Sequence, residues 1–326
     1  MSLLKDFIGI CAAEKIFDGV HKVLIAVSGG ADSLALAELL INSRRRFDLE
    51  LCIAHFEHGL RGQDSIDDAD FVKDFADKHD IKFIGGSGDV ATFAAENKIS
   101  VETAARILRY EFLSKAKDNS NLDAIALAHH ADDQAETILM RLLRGATSDG
   151  LAAMKFRTFS EYGLLIRPLL RFKKVELENF CREKNLSPRL DATNFETDAT
   201  RNKIRLELIP TLEKFNPALV ETLCRLSEVT AEESDFISAQ ADKIFPVVVK
   251  DNCIFRAEFL KLHPALQRVV IKKFLAQVIG SIKDFGFVHF EGVRKVLTNN
   301  LSGVELPKNL RANLRQGKLH INKNFY

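Results

Sequence analysis

Short apolar runs alternate with amphipathic stretches from the start of the chain to Gly145. Four of these runs are typical of strands buried on both faces of a parallel sheet: residues 22–27, 49–55, 81–84 and 122–128. The segments around them show helical periodicity, at residues 1–20, 34–40, 64–79, 100–117 and 132–144. Strands that alternate with helices predict an α/β fold, with a parallel sheet covered by helices on both faces.

The alternation stops in the second half of the chain. Residues 146–202 are loop-rich and basic, with one helical stretch at 173–184. Beyond Asn216-Pro217 the periodicity is helical at 218–244, 264–279 and 288–297, with short strand-like pieces at 247–249 and 253–255. We therefore predict two domains, an α/β domain over residues 1–215 and a smaller, mainly helical domain over residues 216–326.

The turn after the first strand carries the clearest chemistry. Its sequence is Ser28-Gly29-Gly30-Ala31-Asp32-Ser33. The glycines permit a sharp turn and close approach of a ligand, and the following helix presents unpaired N–H groups, which bind anions. The carboxylate of Asp32 repels a phosphate unless a cation lies between them, and Mg²⁺ would fill that place.

Two glycines before a helix are also consistent with an ordinary strand-to-helix connection. The turn lacks both common nucleotide motifs, Gly-x-x-x-x-Gly-Lys-Ser/Thr and Gly-x-Gly-x-x-Gly. Its pattern Ser-Gly-Gly-x-Asp-Ser resembles the pyrophosphate loop (PP-loop) of the ATP pyrophosphatases. That resemblance implies adenylation of a substrate oxygen with release of pyrophosphate.

Polar residues follow two further strands. His55, Phe56 and the loop to Gly62 come after the second strand, and His129-His130-Ala131-Asp132-Asp133 comes after the fourth. Ligands bind at the carboxyl ends of parallel strands, so these residues are expected in one cleft with the glycine turn. The aspartates also suit a helix N-cap with Glu136 as capping partner, and adjacent histidines do not easily share one metal ion.

Arginines near this edge allow two readings. Glu102, Arg106 and Arg109 share one helical face, which indicates either a solvated ion pair or a guanidinium directed at a developing phosphate charge. Basic runs at 167–174 and 201–205 flank the Asp191-Ala192-Thr193-Asn194 segment. Such runs are either surface charge or contacts to a polyanion such as RNA.

Composition narrows the class of protein. A hydrophobic fraction of 46%, a charged fraction of 28% and a formal net charge of +1 are typical of a soluble globular protein. With so little net charge, any RNA site must be a local patch. The five cysteines have no paired spacing, which indicates reduced thiols. No apolar run predicts a membrane span or a secretion signal, so we expect a cytoplasmic protein without a membrane partner.

The serial order of motifs resembles the tRNA(Ile)-lysidine synthases. The resemblance is strong over residues 20–215 and loose beyond them, and Leu306–Ile321 is similar to the start of a further module in longer members. It implies an ATP-binding, catalytic PP-loop domain of the adenine nucleotide alpha-hydrolase-like type, followed by a mainly helical domain that binds the tRNA substrate. Its motifs are His58–Gly62, Ala105-Arg106, Arg109-Tyr110, Ala128–Thr137, Arg144-Gly145, Arg167–Leu169, Asp191–Asn194 and Arg201–Arg205.

The resemblance also implies a reaction. ATP adenylates the C2 oxygen of the wobble cytidine in tRNA(Ile) with a CAU anticodon, and pyrophosphate leaves. The side-chain amine of L-lysine then attacks C2, AMP leaves, and lysidine is formed. The amine must be neutral, although its ordinary pKa is about 10.4, so a base or desolvation is required.

The resemblance assigns expected roles to individual residues. The expected catalytic residues are Asp32, Arg106, Arg109, Asp133 and Glu136, of which Asp133 and Glu136 bind the lysine ammonium or magnesium. The expected ATP-binding residues are Ser28, Gly29, Gly30, Ala31, Asp32, Ser33, Phe56 and Arg61. Asp32 and Asp133 are the expected Mg²⁺ ligands, and the expected tRNA contacts are Arg167, Arg171, Arg201 and Arg205.

Three alternatives remain open at this level. The first is a tRNA thiolase of the same superfamily, which needs paired or loop-placed cysteines. The second is an amide-forming ligase related to GMP or NAD synthetases, and the third is a catalytically idle tRNA-binding protein. The assembly state also stays open, with a homodimer as one option.

Overall fold

The computed structural model describes residues 2–59, 63–189 and 199–323. Arg61 and the Asp191-Ala192-Thr193-Asn194 segment lie outside these described residues. The chain divides into two compact units, Met1–Met140 with Ala153–Arg225, and Arg141–Ala152 with Leu226–Tyr326. The domain boundary expected between residues 215 and 216 stays a prediction, and the two compact units divide at Arg225–Leu226.

A six-stranded sheet forms the centre of the first unit, in the order β3-β2-β1-β4-β6-β5. All neighbours pair in parallel except β5, which runs antiparallel to β6 at the edge. The strands are β1 Lys22–Ala26, β2 Glu50–Glu57, β3 Lys82–Ser87, β4 Ala124–Ala126, β5 Arg157–Ser160 and β6 Gly163–Ile166. The prediction of a mostly parallel α/β sheet is confirmed, and β5 and β6 extend it into the stretch expected to be loop.

Helices connect these strands and continue through the rest of the chain. They are α1 Leu3–Ala13, α2 Ala31–Phe47, α3 Gln63–Lys78, α4 Val90–Asn97, α5 Val101–Asn119, α6 Ala131–Leu143, α7 Ser148–Leu151, α8 Lys174–Glu183, α9 Ala199–Lys203, α10 Ile209–Glu213, α11 Leu219–Val248, α12 Arg256–Phe259, α13 Pro264–Ile279 and α14 Phe287–Asn299. A π-helical turn, Ile204–Leu208, joins α9 to α10. No helix in the described ranges is long and apolar enough to cross a membrane.

The strand order sets the position of the ligand cleft. The chain places β2 and β3 on one side of β1, and β4 and β6 on the other. Connections that leave neighbouring strands in opposite directions open a crevice at the carboxyl ends of those strands. The turn after β1 and the segment after β4 therefore meet at this crevice. Buried apolar residues such as Leu24, Ile25 and Ile125 hold the two strands rigidly beneath it.

The second unit combines helices with a small sheet. Its strands are β7 Val249–Lys250, β8 Cys253–Phe255, β9 Gly303–Leu306, β10 Leu310–Arg315 and β11 Lys318–Lys323. They form an antiparallel sheet in the order β7-β8-β11-β10-β9. The expectation of a helical C-terminal region is confirmed, and the sheet adds to it. The strand expected at 247–249 is wrong for Val247 and Val248, because the helical hydrogen bonding of α11 continues to Val248.

Candidate active site

The Ser28–Ser33 turn joins β1 to the N-terminus of α2. Gly29 has φ +93°, a conformation that side-chain-bearing residues rarely adopt, and Gly30 is the N-cap of α2. The Ser33 hydroxyl donates to the Gly30 carbonyl at 2.9 Å and accepts from the Ser28 N–H at 3.1 Å. The serine hydroxyls thus fix the turn, and the backbone N–H groups at the start of α2 make it an anion site.

Alanine at Gly29 is expected to destabilise this turn. The positive φ strains any Cβ, so we expect Gly29→Ala to lower the free energy of unfolding by about 1–2 kcal/mol and to weaken ATP binding. Gly30→Ala is the matched control, because Gly30 has φ −76° and, among the described residues, its added Cβ would meet only the Ser28 Oγ, at 3.6 Å. Urea unfolding with an ATP-binding titration tests this, and equal effects of the two variants would contradict it.

Asp32 lies in the first turn of α2 and faces the segment after β4. Its Oδ2 is 3.5 Å from the Nε2 of His130, and its buried Oδ1 has no hydrogen-bond partner among the described residues. A buried carboxylate oxygen without a partner is costly, and a bound cation would remove that cost. Mg²⁺ commonly takes one or two protein carboxylates together with substrate phosphates, so Asp32 beside an anion-binding turn fits it.

His130 is the centre of a buried charge cluster. Its Nε2 lies 3.5 Å from Oδ2 of both Asp32 and Asp133, and its Nδ1 lies 3.4 Å from Oδ2 of Asp132. Burial opposes the charge of the imidazole, but the three carboxylates outweigh burial and raise the pKa of His130 to about 10. The side chain is therefore an imidazolium at neutral pH and supplies a positive charge between the turn after β1 and helix α6.

The aspartates also shape the start of α6. Oδ2 of Asp133 accepts the backbone N–H of His130 at 3.1 Å, and Oδ2 of Asp132 accepts the N–H of Lys174 at 2.8 Å. Burial raises the carboxyl pKa of both residues, but the nearby His130 and these hydrogen bonds lower it overall. Both carboxylates are thus ionised, and the helix-capping interpretation describes part of their role.

Glu136, one turn further along α6, is 1% exposed and forms a bidentate pair with Arg205. Arg205 Nε lies 2.5 Å from Oε1 and Nη2 lies 3.1 Å from Oε2, while the same guanidinium is 3.5 Å from Asp133. Arg201 adds a second cation 3.5 Å from Glu136. Burial still raises the pKa of Glu136 above its ordinary value, despite the opposing effect of Arg205.

A second group of cations surrounds Tyr110 on α5. The guanidinium carbons of Arg106 and Arg109 lie 4.8 and 5.7 Å from the Tyr110 ring centroid. The pKa of His129 is lowered to about 3, chiefly by burial. The cations of Arg167 and the α5 arginines act in the same direction and Asp133 acts against them, so His129 is neutral. Buried polar atoms without a hydrogen-bond partner among the described residues are Arg109 Nε, Tyr110 OH, His129 Nδ1 and Arg167 Nε. This cationic, partly unsatisfied surface suits an anionic group.

His55 and Phe56 line the carboxyl end of β2. Nδ1 of His55 donates to the carbonyl oxygen of Val27 at 2.9 Å, since a carbonyl oxygen can only accept. Burial lowers the pKa of His55 and favours the neutral ring. The Phe56 ring packs 5.1 Å from His58 and 5.5 Å from Phe112. The ATP-binding roles of Phe56 and Arg61 stay predictions.

The structure places the four arginines expected to contact RNA in different settings. Arg167 is 7% exposed and donates to the Lys155 carbonyl at 3.0 Å and to Thr158 Oγ1 at 2.9 Å. Arg171 pairs with Glu14 at 2.7 Å, whereas Arg201 and Arg205 lie at Glu136. Their contacts to tRNA stay predictions.

Sequence reasoning expected His130 and Asp132 in the cleft but assigned them no role in catalysis or ligand binding. The signal available was the adjacency of two histidines and two aspartates at a strand end, but adjacency does not indicate which side chain turns inward. No group of three or more His, Cys, Asp or Glu side chains in the described ranges is arranged to hold a metal ion by itself. A magnesium site here would therefore share its ligands with substrate phosphates.

Comparison with known proteins identifies relatives of this chain. The PP-loop domain family model matches residues 8–212. A tRNA(Ile)-lysidine synthase of Clostridium tetani is 35% identical over 92% of this chain and 65% of its own length. That of Clostridium acetobutylicum is 33% identical over 95% and 68%, and that of Geobacillus kaustophilus is 36% identical over 80% and 57%. The chain thus spans about two thirds of the length of the curated relatives it matches.

One solved structure shares the fold at low sequence identity. The U34-tRNA thiolase NcsA from Methanococcus maripaludis, with its [4Fe-4S] cluster, aligns with a TM-score of 0.57 and 19% identity. The alignment covers 70% of this chain and 80% of the thiolase chain. At this identity the likeness supports the fold and nothing about the chemistry.

Proposed function

The chain belongs to the PP-loop domain family and to the tRNA(Ile)-lysidine synthases, and on this basis we propose that it is an ATP-dependent tRNA-modifying ligase. It adenylates C2 of the wobble cytidine in tRNA(Ile) bearing a CAU anticodon, and lysine then displaces AMP to give lysidine. The observation that carries the proposal is the Asp32–His130–Asp133 cluster at the anion-binding turn. A protein that only binds RNA has no need of this buried, charged arrangement.

The first step would use the turn after β1. The backbone N–H groups at the start of α2 bind the ATP phosphates, and Asp32 and Asp133 hold Mg²⁺. When bound, magnesium neutralises charge on the departing pyrophosphate. Arg106 and Arg109 lie beside Tyr110 without a carboxylate partner among the described residues, and they stabilise the negative charge that develops on the transferred phosphate.

The second step would use the acidic face of α6. Asp133 and Glu136 attract the lysine ammonium, and Arg205 holds the Glu136 carboxylate in place through two hydrogen bonds. Closing a substrate over these buried groups desolvates the amine and lowers its pKa, whereas the two carboxylates raise it, so attack also requires a base that takes the ammonium proton.

The thiolase alternative is less consistent with the cysteines. Iron–sulfur clusters are held by several neighbouring thiolates, and a persulfide mechanism needs a reactive thiol. The five cysteines of this chain are all buried, and none of them forms a disulfide: Cys11, Cys52, Cys181, Cys224 and Cys253. Burial raises the pKa of Cys11 to about 12 and, with nearby carboxylates, that of Cys181 to about 11.

Lysine transfer into RNA tests the proposed function. The protein is incubated with ATP, Mg²⁺, labelled lysine and a tRNA(Ile) transcript with a CAU anticodon, and label in the RNA is counted. We expect incorporation that requires ATP, and none into a transcript with uridine at the wobble position. Pyrophosphate release without lysine incorporation would keep the adenylation step and contradict the lysidine product.

A further inference from the structure

Arg189 joins helix α3 to the turn after β1, outside the groups that the proposed reaction uses. It follows α8 through a short segment in which Leu186 packs against the core of the first unit. The backbone N–H of Arg189 donates to the carbonyl oxygen of Gly29 at 3.1 Å. Its side chain lies against α3, where Nε is 2.5 Å from Oδ1 of Asp68 and Nη2 is 3.9 Å from Oδ2 of Asp67. One residue thus contacts the glycine turn through its main chain and a buried carboxylate through its side chain.

Helix α3 gives this arginine a fixed point of attachment. Asp68 is buried, with 7% of its surface exposed, whereas the Arg189 side chain is 39% exposed. The helix packs on the same turn, because a Cβ added at Gly29 would lie 3.7 Å from Val72 Cγ2 and 3.8 Å from Phe71 Cδ1. Apolar packing therefore sets the position of Asp68 relative to the turn, and a charge-assisted hydrogen bond to it restricts the arginine.

The peptide group between Gly29 and Gly30 depends on an outside partner for its orientation. Gly29 has no side chain to restrict rotation, and its φ is +93°. Because the peptide group is planar and trans, its C=O and N–H point in opposite directions. Holding the Gly29 carbonyl toward Arg189 therefore directs the Gly30 N–H away from Arg189. That N–H makes a long contact, 3.4 Å, with the Ser28 hydroxyl, so it remains able to donate to a phosphate oxygen.

We propose that Arg189 and Asp68 are positioning residues for the phosphate chain of ATP. Their ion pair holds the Arg189 main chain against the Gly29 carbonyl, and the fixed peptide presents the Gly30 N–H to a phosphate oxygen. Neither side chain has to touch the nucleotide. The inference rests on the proposed function for ATP as the ligand, and it adds a contact outside the turn that sets the affinity for that ligand.

ATP-binding titrations of two variants with opposite changes of charge test this role. Arg189→Met removes a positive charge near the turn and keeps the apolar stem, whereas Asp68→Asn removes a negative charge and keeps the shape of the side chain. Charge alone would weaken ATP binding in the first variant and strengthen it in the second. The positioning role predicts weaker binding in both, with the Kd raised about tenfold or more, the loss expected for one hydrogen bond to a charged group.

Asp67→Asn is the matched control, since it removes the same charge from the adjacent residue of α3, at 3.9 Å from Arg189. We expect it to change the Kd for ATP by less than about threefold, as is usual for an exposed ion pair. Arg189→Lys keeps a cation that can pair with Asp68 and is expected to retain most of the affinity. Tighter ATP binding by Asp68→Asn, or an equal loss in Asp67→Asn, would overturn the proposal.

Hydrogen exchange at the Arg189 amide gives a readout that requires no ATP. The hydrogen bond to the Gly29 carbonyl protects this N–H in the wild type, and we expect faster exchange in Asp68→Asn without a matching change at the amides of β1. Unchanged protection at Arg189 would contradict the positioning role. So would an equal acceleration across β1, because Asp68 would then act on the stability of the whole unit.

The outcomes for the ion pair and for the proposed reaction are separable. Wild-type protein that binds ATP and shows these variant effects but incorporates no lysine would refute lysidine synthesis and retain the role of Arg189. Normal lysine incorporation, with both variants binding ATP as tightly as the wild type does, would refute the role of Arg189 and retain the proposed function.

Discussion

Replacing Asp32 with asparagine is expected to slow tRNA-dependent pyrophosphate release by about 10²–10³-fold, the loss typical when one preorganised charge at a reacting centre is removed. Asp32 is the carboxylate carried by the anion-binding turn itself, and its Oδ1 has no hydrogen-bond partner among the described residues. Asparagine keeps the shape of the side chain but removes the charge that holds a cation against the phosphates. Steady-state kinetics across a magnesium titration measure the effect, and we expect weaker magnesium dependence.

Asp132→Asn is the matched control for this experiment. Asp132 also contacts His130, at 3.4 Å, but its carboxylate accepts the backbone N–H of Lys174 and lies on α6 rather than on the turn. The control removes the same charge from the same histidine but keeps the Asp32 carboxylate on the turn. We therefore expect the rate of pyrophosphate release to fall by less than about tenfold. Similar rates for the two variants would show that Asp32 acts through His130 and not through the phosphates.

The second large effect is expected at Arg205. Replacing it with glutamine leaves Glu136, which is 1% exposed, without its bidentate partner. Breaking a buried pair by removing one partner costs about 3–5 kcal/mol, because an uncompensated charge remains. We therefore expect Arg205→Gln to lower the melting temperature strongly at pH 8 and to abolish lysine incorporation.

The pH dependence of this variant has a defined sign. Burial already raises the pKa of Glu136, and loss of Arg205 raises it further. Between the unfolded and folded pKa values the folded state binds the extra proton, so stability falls as pH rises through that window. Arg205→Gln is therefore expected to be more stable at pH 5 than at pH 8, relative to wild type.

The double variant Arg205→Gln/Glu136→Gln separates charge from packing. It removes the buried carboxylate along with its partner, so most of the lost stability should return and the added pH dependence should disappear. Thermal unfolding across pH 5–8 of Arg205→Gln, Glu136→Gln and the double variant completes the cycle. If the double variant is as unstable as Arg205→Gln, the loss of stability comes from lost packing around the guanidinium and not from the buried charge.

Local patterns predicted the parts of the site that are local in sequence. The turn after β1 follows from an apolar run, two glycines and a helical stretch that are continuous along the chain. The end of β4 follows in the same way, and the rule that parallel strands carry ligands at their carboxyl ends brought the two together. These features are determined by interactions between residues that are close together in the sequence.

The remaining features depend on contacts between distant segments. The Glu136–Arg205 pair joins residues 69 positions apart, and the contact between His130 and Asp32 joins the ends of two strands that are distant in the sequence. Arg171 pairs with Glu14, the C-cap of α1, which is distant from it in the sequence. A basic run in the sequence does not reveal which arginines turn inward, because that depends on carboxylates supplied by the fold.

The buried cysteines also allow local opening of the protein to be measured through their reactivity. Thiolates are the reactive form, so thiols that are buried and have a raised pKa react with alkylating agents only when the surrounding structure opens. Cys11 and Cys181 belong to the core of the first unit, whereas Cys253 lies in the sheet of the second. The alkylation rate of each cysteine therefore measures the free energy of opening around it. Rates at these three cysteines report on the two units separately, without any introduced label.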